Sequence, residues 1–179
     1  MYEVRWHGRG GQGGFTVARL LGMAASVFEG KHSLAFPSFG PERRGAPVLG
    51  FTRISEDPIT DRSMVDQCDY VVVLDETLMG PNVLSGIKEN GVVLVNTKDP
   101  SRYREMTDKK IVAMDATSLA IDILGRPITN TAMLGALLAV SGVVTLSSVQ
   151  DAIKQGMKAS IAGKNCEVVE KAYQMVKGE

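Results

Sequence analysis

Two runs of β-branched residues constrain the fold of this chain more than any other feature. Residues 70–74 have the sequence YVVVL and residues 92–95 have the sequence VVLV, with no polar residue in alternate positions. Strands that show no polar face are typical of a parallel sheet covered by helices on both sides. Further apolar runs at residues 4–6, 34–36, 48–54 and 111–114 predict four more strands.

Segments with helical character separate these strands. The first is predicted from apolar residues at helical spacing that should face the sheet, namely Val17, Leu20, Leu21, Ala24 and Phe28. Others are predicted at residues 82–88, closed by Asn90 and Gly91, at 132–141, opened by Asn130 and Thr131, and at 147–159 and 165–177. The alternation predicts an α/β fold: a single three-layer domain over residues 1–179, with a mostly parallel sheet flanked by helices.

Composition excludes several classes of function. The chain has 179 residues, with 20 basic and 20 acidic side chains and a formal net charge of +0. No overall field attracts nucleic acid or an anionic membrane, so any anion site must be local. The apolar stretch at residues 132–146 is shorter than the roughly 20 residues of a membrane span, and it predicts a buried core helix.

The cysteines exclude a metal cluster held by this chain alone. Cys68 and Cys166 are far apart in the sequence and form no CxxC pair, whereas an iron–sulfur cubane needs four thiolates. We expect two reduced, buried thiols. The N-terminus begins with a strand-like segment and not with a signal peptide, so a cytoplasmic protein is expected.

A glycine-rich loop joins the first predicted strand to the first predicted helix. Without Cβ atoms, its main-chain N–H groups and the positive end of the helix can face a phosphate. Arg9 could neutralise the same anion, and the amide of Gln12 offers a donor and an acceptor. The loop residues predicted to bind a cofactor are Gly8, Arg9, Gly10, Gly11, Gln12, Gly13 and Gly14.

A second loop, residues 37–47, is stiffened by Pro37, Pro41 and Pro47 and carries fixed positive charge. Arg43 and Arg44 should point in opposite directions in an extended loop, so one is expected to pair with Glu42 or a partner subunit and the other to reach a phosphate. Both arginines are assigned to the predicted binding site. Residues expected to form an interface or to position the site are Phe39, Gly40, Pro41, Glu42 and Asp75.

Three interpretations of the glycine loop remain open. Gly8, Gly10 and Gly13 fit the G-x-G-x-x-G pattern of dinucleotide-binding proteins, but Pro37 stands where an acidic ribose-binding residue would follow the second strand. A purely structural turn would let helix and sheet pack closely. Binding of a phosphate or another polar anion, by this chain or at an interface that it completes, is the third.

Other polar residues have a structural explanation beside a functional one. Asp75, Asn96 and Asp115 follow predicted strands and would line the ligand crevice of an open α/β sheet, although capping of the next helix explains both aspartates. His7 has no acidic partner nearby in sequence and is interpreted as a structural histidine. No nucleophile elbow, P-loop lysine or zinc-protease helix is present, which indicates a binding part of a larger catalyst.

The two loop motifs together resemble the gamma subunit of the 2-oxoacid:ferredoxin oxidoreductases, of which pyruvate:ferredoxin oxidoreductase is the best-known member. The likeness covers nearly the whole chain in the expected order. It is carried by residues 7–14, 39–47, 71–75, 96–97 and 130–135.

The resemblance implies a division of labour among subunits. Such enzymes cleave a 2-oxoacid with thiamine diphosphate, reduce ferredoxin through iron–sulfur clusters and form acyl-coenzyme A. Thiamine diphosphate and the clusters belong to alpha, beta and delta-type sister subunits, while the gamma part is associated with coenzyme A and assembly. The resemblance favours pyruvate and leaves indolepyruvate or 2-oxoglutarate as alternative substrates. It implies a cytoplasmic complex that acts without nucleic acid or membrane, in which this chain has no catalytic residue of its own.

Overall fold

The computed structural model describes residues 1–38 and 44–178, which contain one six-stranded sheet. The strands are β1 (Tyr2–Arg9), β2 (His32–Pro37), β3 (Pro47–Ser55), β4 (Cys68–Val73), β5 (Ile87–Asn96) and β6 (Lys110–Met114). The helices are α1 (Gly14–Met23), α2 (Pro81–Leu84), α3 (Ser101–Arg104), α4 (Ala116–Leu124), α5 (Asn130–Ser141), α6 (Leu146–Gly156) and α7 (Ala159–Lys177). Every strand predicted from the apolar runs overlaps a strand of the structure.

The sheet order is β2-β3-β1-β4-β5-β6. β1, β4, β5 and β6 run parallel, with Trp6 beside Val72 and Val72 beside Leu94. β3 lies antiparallel between β1 and β2. The connection from β2 to β3 spans residues 38–46, shorter than the dozen or more residues of a parallel crossover, so β3 returns antiparallel. The mostly parallel sheet is confirmed.

Helices cover the two faces of the sheet unequally. Alternating residues of each central strand point to opposite faces, so the unbroken apolar runs serve two cores. Val4, Trp6, Val72 and Leu94 face the larger core, which is covered by α1 and by α4 to α7. The opposite face packs under α2, α3 and Val65, and its sheet residues are Phe51, Val71, Val73, Val93 and Val95. The predicted α/β architecture of three layers follows from this arrangement.

The apolar helix α5 lies in the centre of the larger core. Its residues from Asn130 to Leu138 are buried on all sides, between the sheet and α7. The predicted core helix is confirmed, but its predicted start is wrong. Thr129 occupies the N-cap position without a side-chain capping bond, and Asn130 is the first helical residue. The Oδ1 of Asn130 accepts from the N–H of the next residue, Thr131, while its Nδ2 donates to the carbonyl of Gly13.

Three other local predictions need correction. The helix expected at residues 82–88 is limited to α2, because residue 87 already pairs with Cys68 and begins β5, which contains Asn90 and Gly91. Phe28 is 37% exposed, since a π-helical turn, Ala24–Phe28, follows α1 and changes its spacing. The last helix begins at Ala159, six residues before the predicted residue 165.

Candidate functional site

The glycine loop connects the end of β1 to the start of α1. Gly8 lies in β1 and Gly14 is the first residue of α1. Gly11 and Gly13 have φ angles of +96° and +77°, a left-handed conformation that side chains disfavour. A Cβ atom at Gly13 would collide with the side-chain amide of Asn130. The turn therefore requires glycine at these two positions.

Gln12 braces the turn from inside. Its Oε1 accepts a hydrogen bond of 2.7 Å from the main-chain N–H of Arg9, and its own main-chain N–H donates to the carbonyl of Arg9 at 2.9 Å. Its Nε2 donates to Oδ2 of Asp75 at 3.1 Å. Both polar atoms of the Gln12 side chain therefore have partners within the protein, in the glycine loop and just after β4.

Arg9 links three segments of the chain. Its Nε lies 3.0 Å from Oδ2 of Asp75, its Nη1 donates to the carbonyl of Gly45 at 3.1 Å, and its Nη2 donates to Oγ1 of Thr77 at 2.8 Å. The guanidinium thus holds the glycine loop, the end of β4 and the second loop together. Because Asp75 already neutralises the guanidinium, the main role of Arg9 in the structure is to hold the loop in place.

Asp75 combines this ion pair with a capping role. Its Oδ1 accepts from the main-chain N–H and the hydroxyl of Thr77, which caps the 3-10 turn Glu76–Leu78. Burial alone raises the pKa of Asp75, but hydrogen bonds from Thr77, Gln12 and Arg9 hold it below its usual range. Asp115 caps α4 through the N–H of Ser118. Capping by both aspartates is confirmed.

The second loop returns alongside the first. Gly10 and Arg44 form a parallel bridge, in which the N–H of Gly10 donates to Ala46 and the N–H of Gly45 donates to Gly10. Arg44 is exposed there. The structure therefore brings Arg44 next to the glycine loop, as the binding hypothesis requires. The predictions for residues 39–43, which include Arg43, lie outside the described residues.

Main-chain donors at the start of α1 remain available for a ligand. Within residues 1–38 and 44–178, the N–H groups of Gly11, Gly13 and Phe15 form no hydrogen bond, whereas Gly14 is buried. Gly11 and Phe15 are exposed. Such unpaired amides, together with the positive end of the helix dipole, form a suitable environment for a phosphate.

The carboxyl ends of the parallel strands meet in a crevice of about 590 Å³. Asp75, Asn96 and Asp115 all line it, as predicted from the strand ends, and Gln12 connects it to the glycine loop. Asn96 donates through Nδ2 to the carbonyl of Leu74 and to Oγ1 of Thr117, both at 3.0 Å. Asn130, predicted only to open a helix and as part of the family resemblance, also contacts Gly13 of the glycine loop, a residue 117 positions earlier in the chain.

His7 and the two cysteines have structural environments. His7 is 7% exposed, and its Nε2 accepts from Nε of Arg5 at 3.0 Å. Burial and the neighbouring charge of Arg5 lower the pKa of His7 to about 3, so the ring is neutral. Burial raises the pKa of Cys68 to about 11. The interpretation of His7 as a structural residue is confirmed.

The described part of the chain holds neither a cluster of metal-binding side chains nor a helix that could span a membrane. Residues 1–38 and 44–178 contain no group of three or more His, Cys, Asp or Glu side chains that could hold a metal ion. Within the same part of the chain, each helix is too short or too polar to cross a bilayer.

The sheet order weighs against a dinucleotide site. In the dinucleotide-binding fold, the second strand lies parallel beside the first, and an acidic residue at its end binds the ribose. Here the neighbour of β1 on that side is the antiparallel strand β3, which separates β1 from β2, and β2 ends at Pro37. The G-x-G-x-x-G pattern therefore lies in a sheet whose strand order differs from that of the dinucleotide-binding fold.

A solved structure shows the class of protein that this fold and loop define. The crystal structure of pyruvate oxidoreductase subunit PORC from Thermotoga maritima matches with a TM-score of 0.84 and 37% identity, over 97% of this chain and 95% of that chain. The molecule is thus an α/β subunit of an oxidoreductase complex.

The sequence comparisons then identify the family. A family model described as pyruvate ferredoxin/flavodoxin oxidoreductase matches residues 3–175. Pyruvate synthase subunit PorC of Methanothermobacter marburgensis is 50% identical over 99% of this chain and 98% of its own length. The pyruvate/ketoisovalerate oxidoreductases common subunit gamma of Thermococcus kodakarensis is 47% identical over 97% and 96%. The chain belongs to the pyruvate ferredoxin/flavodoxin oxidoreductase family, which confirms the resemblance found in its loops.

Proposed function

We propose that this chain engages coenzyme A in a pyruvate:ferredoxin oxidoreductase, while its sister subunits hold thiamine diphosphate and the iron–sulfur clusters. The names of the two relatives support pyruvate as the 2-oxoacid. The expected partners are alpha, beta and delta-type subunits, with ferredoxin as the electron acceptor of the complex. Two buried, unpaired thiols, Cys68 and Cys166, are typical of a reducing compartment and support a cytoplasmic location.

The unpaired amides at the start of α1 carry this proposal. Coenzyme A has a diphosphate and a 3′-phosphate, and the main-chain N–H groups of Gly11, Gly13 and Phe15 can donate to one of them without a Cβ in the way at the glycines. The helix dipole adds a favourable field for a negative charge. This binding positions the carrier and involves no bond making by the chain itself.

The second loop supplies the complementary cation. Arg44 is exposed beside Gly10 and can donate two parallel hydrogen bonds to another phosphate. Arg43 was predicted for the same role from its position in the sequence. Arg9, paired with Asp75, keeps the two loops at a fixed separation. Coenzyme A that is bound in this way would extend its thiol arm toward the neighbouring subunit.

Binding of radiolabelled coenzyme A to the assembled complex tests the proposal. We expect Arg43→Ala or Arg44→Ala to weaken the affinity about tenfold, the effect of losing one charge-assisted hydrogen bond. Arg62→Ala is the matched control, because Arg62 is exposed in the β3–β4 connection, which follows the end of β3 beside the start of β1, at the opposite end of β1 from the glycine loop. Unchanged affinity in both loop variants, with intact assembly, would remove the two arginines from the site.

Hydrogen exchange distinguishes a ligand site from a purely structural turn. Coenzyme A should slow amide exchange at residues 11–15 of the assembled complex and leave the β3–β4 connection unchanged. If coenzyme A protects none of these amides while saturating the enzyme, the glycine loop serves only packing or the subunit interface, and the proposal fails.

A further inference from the structure

A second cavity lies on the helical side of the molecule, beside the first turn of α1. It has a volume of about 680 Å³, within the range of small-molecule sites. Thr16 of α1, Ile128 of the α4–α5 connection and Ile161 of α7 contribute to its walls. Neither the family resemblance nor the coenzyme A proposal assigns it a ligand.

Three cations surround this cavity and no acidic side chain lines it. They are Arg126, Lys158 and Lys164. Among the described residues, no ion pair includes any of the three. By contrast, Lys154 in α6 is paired with Asp151 at 2.9 Å, and Lys171 in α7 is paired with Glu167 at 2.8 Å. The cavity thus carries positive charge that no acidic side chain of the described residues neutralises.

Two large apolar side chains form part of the cavity wall. Ile128 is 43% exposed and Ile161 is 48% exposed, and both lie among the cavity residues. Large apolar side chains that are exposed beside unpaired cations suit a ligand with an apolar ring and an anionic group. Inorganic phosphate alone would leave the two isoleucines in water.

Buried amides form the polar floor. Asn130 and Asn165 are 5% and 6% exposed and both line the cavity. The Nδ2 of Asn130 donates to the carbonyl of Gly13, and the Nδ2 of Asn165 donates to the carbonyl of Ile161. Each amide nitrogen carries two N–H groups, so one N–H of each side chain has no recorded partner among the described residues. These donors can meet an acceptor inside the cavity.

We propose that this cavity is a binding site for a nucleoside phosphate. The base would pack against Ile128 and Ile161, the phosphate would be neutralised by Lys158, Lys164 and Arg126, and the two buried asparagines would donate to polar groups of the ligand. The cavity adjoins the glycine loop through Asn130, but the proposal does not depend on coenzyme A binding at that loop.

Calorimetric titration of the full chain with ADP, adenosine and inorganic phosphate tests the site. We expect saturable binding of ADP, at least tenfold tighter than that of adenosine or of inorganic phosphate. The double variant Lys158→Gln/Lys164→Gln should weaken ADP binding at least tenfold, since it removes two cationic donors. Ile161→Ala should weaken ADP binding and leave inorganic phosphate unaffected.

A charge-matched control locates the effect. Lys154→Gln/Lys171→Gln makes the same change in net charge in α6 and α7 outside the cavity, and it should retain the ADP affinity of the unmodified chain. An absence of saturable ADP binding would overturn the proposal, as would equal loss in both lysine pairs. It would also be overturned if Lys158→Gln/Lys164→Gln kept its ADP affinity but failed to join the complex, which would assign this surface to a sister subunit.

Discussion

His7 shows how one buried side chain can make the stability of this protein depend on pH. The pKa of His7 falls from 6.5 to about 3 on folding, because burial and Arg5 disfavour the charged ring. Between these two values the unfolded chain binds a proton that the folded chain does not bind. The free energy of unfolding therefore decreases as the pH falls from about 6.5 toward 3.

We expect His7→Gln to remove this dependence. At pH 5, the unmodified chain should have lost about 2 kcal/mol through His7, at about 1.4 kcal/mol for each pH unit. Glutamine retains an acceptor for Arg5 and does not titrate, so the variant should show a shallower slope in urea unfolding between pH 6.5 and 5. His32→Gln, at an exposed site, is the control. Identical slopes for His7→Gln and the unmodified chain would contradict the assigned environment.

Substitution of Gly11 tests backbone strain alone, whereas substitution of Gly13 adds a steric collision. Both have positive φ angles, but a Cβ atom at Gly11 meets nothing within 4 Å, whereas one at Gly13 collides with Asn130. Gly11→Ala should lower the free energy of unfolding by about 1 kcal/mol, and Gly13→Ala by about 3 kcal/mol. Urea unfolding of both variants measures the difference. Equal losses would mean that the Asn130 contact does not constrain the loop.

At the scale of elements, the contact between α5 and α7 depends on the absence of a side chain at Gly135. A Cβ atom there would collide with the carbonyl of Val169 and would lie 2.9 Å from Cβ of Ala172. Because the carbonyl belongs to the backbone of α7, the helices would have to separate. Gly135 therefore sets the distance between these two helices.

Gly135→Ala should therefore destabilise the fold by about 2 kcal/mol despite the higher helix propensity of alanine. Gly163→Ala is the matched control within α7, since its Cβ would meet no atom within 4 Å, and it should stabilise the protein by about 0.5–1 kcal/mol. Thermal or urea unfolding provides the comparison. A gain in stability for both variants would show that α5 and α7 are not in this close contact.

Element types were predicted well because their signals are local. Burial of β4 and β5 is visible in their runs of valine, and burial of one face of α1 is visible in the helical spacing of its apolar residues. The prediction failed where a distant residue decided the outcome: pairing with Cys68 made residue 87 the start of β5, where a helix was predicted.

At the scale of the whole molecule, the proposed division of labour predicts that the isolated chain has no turnover. Pyruvate-dependent reduction of a viologen dye, measured with coenzyme A and thiamine diphosphate, should be absent for the purified chain. It should appear when the chain is combined with its sister subunits. Co-purification from cells, followed by mass spectrometry, should recover chains with thiamine and cluster-ligand motifs. Turnover by the homogeneous chain alone would contradict its role as a subunit.

By itself, the sequence determined which segments become strands and helices, and it located the two loops that carry the family resemblance. Periodicity, apolar runs and the conformational freedom of glycine act over a few neighbouring residues, so they are visible without a structure. Only the tertiary structure decided that β3 separates β1 from β2. It also decided that Asp75 binds both Arg9 and Gln12. In the same way, it placed Arg126, Lys158 and Lys164 around one cavity. These outcomes depend on contacts between residues far apart in the chain, which local patterns do not encode.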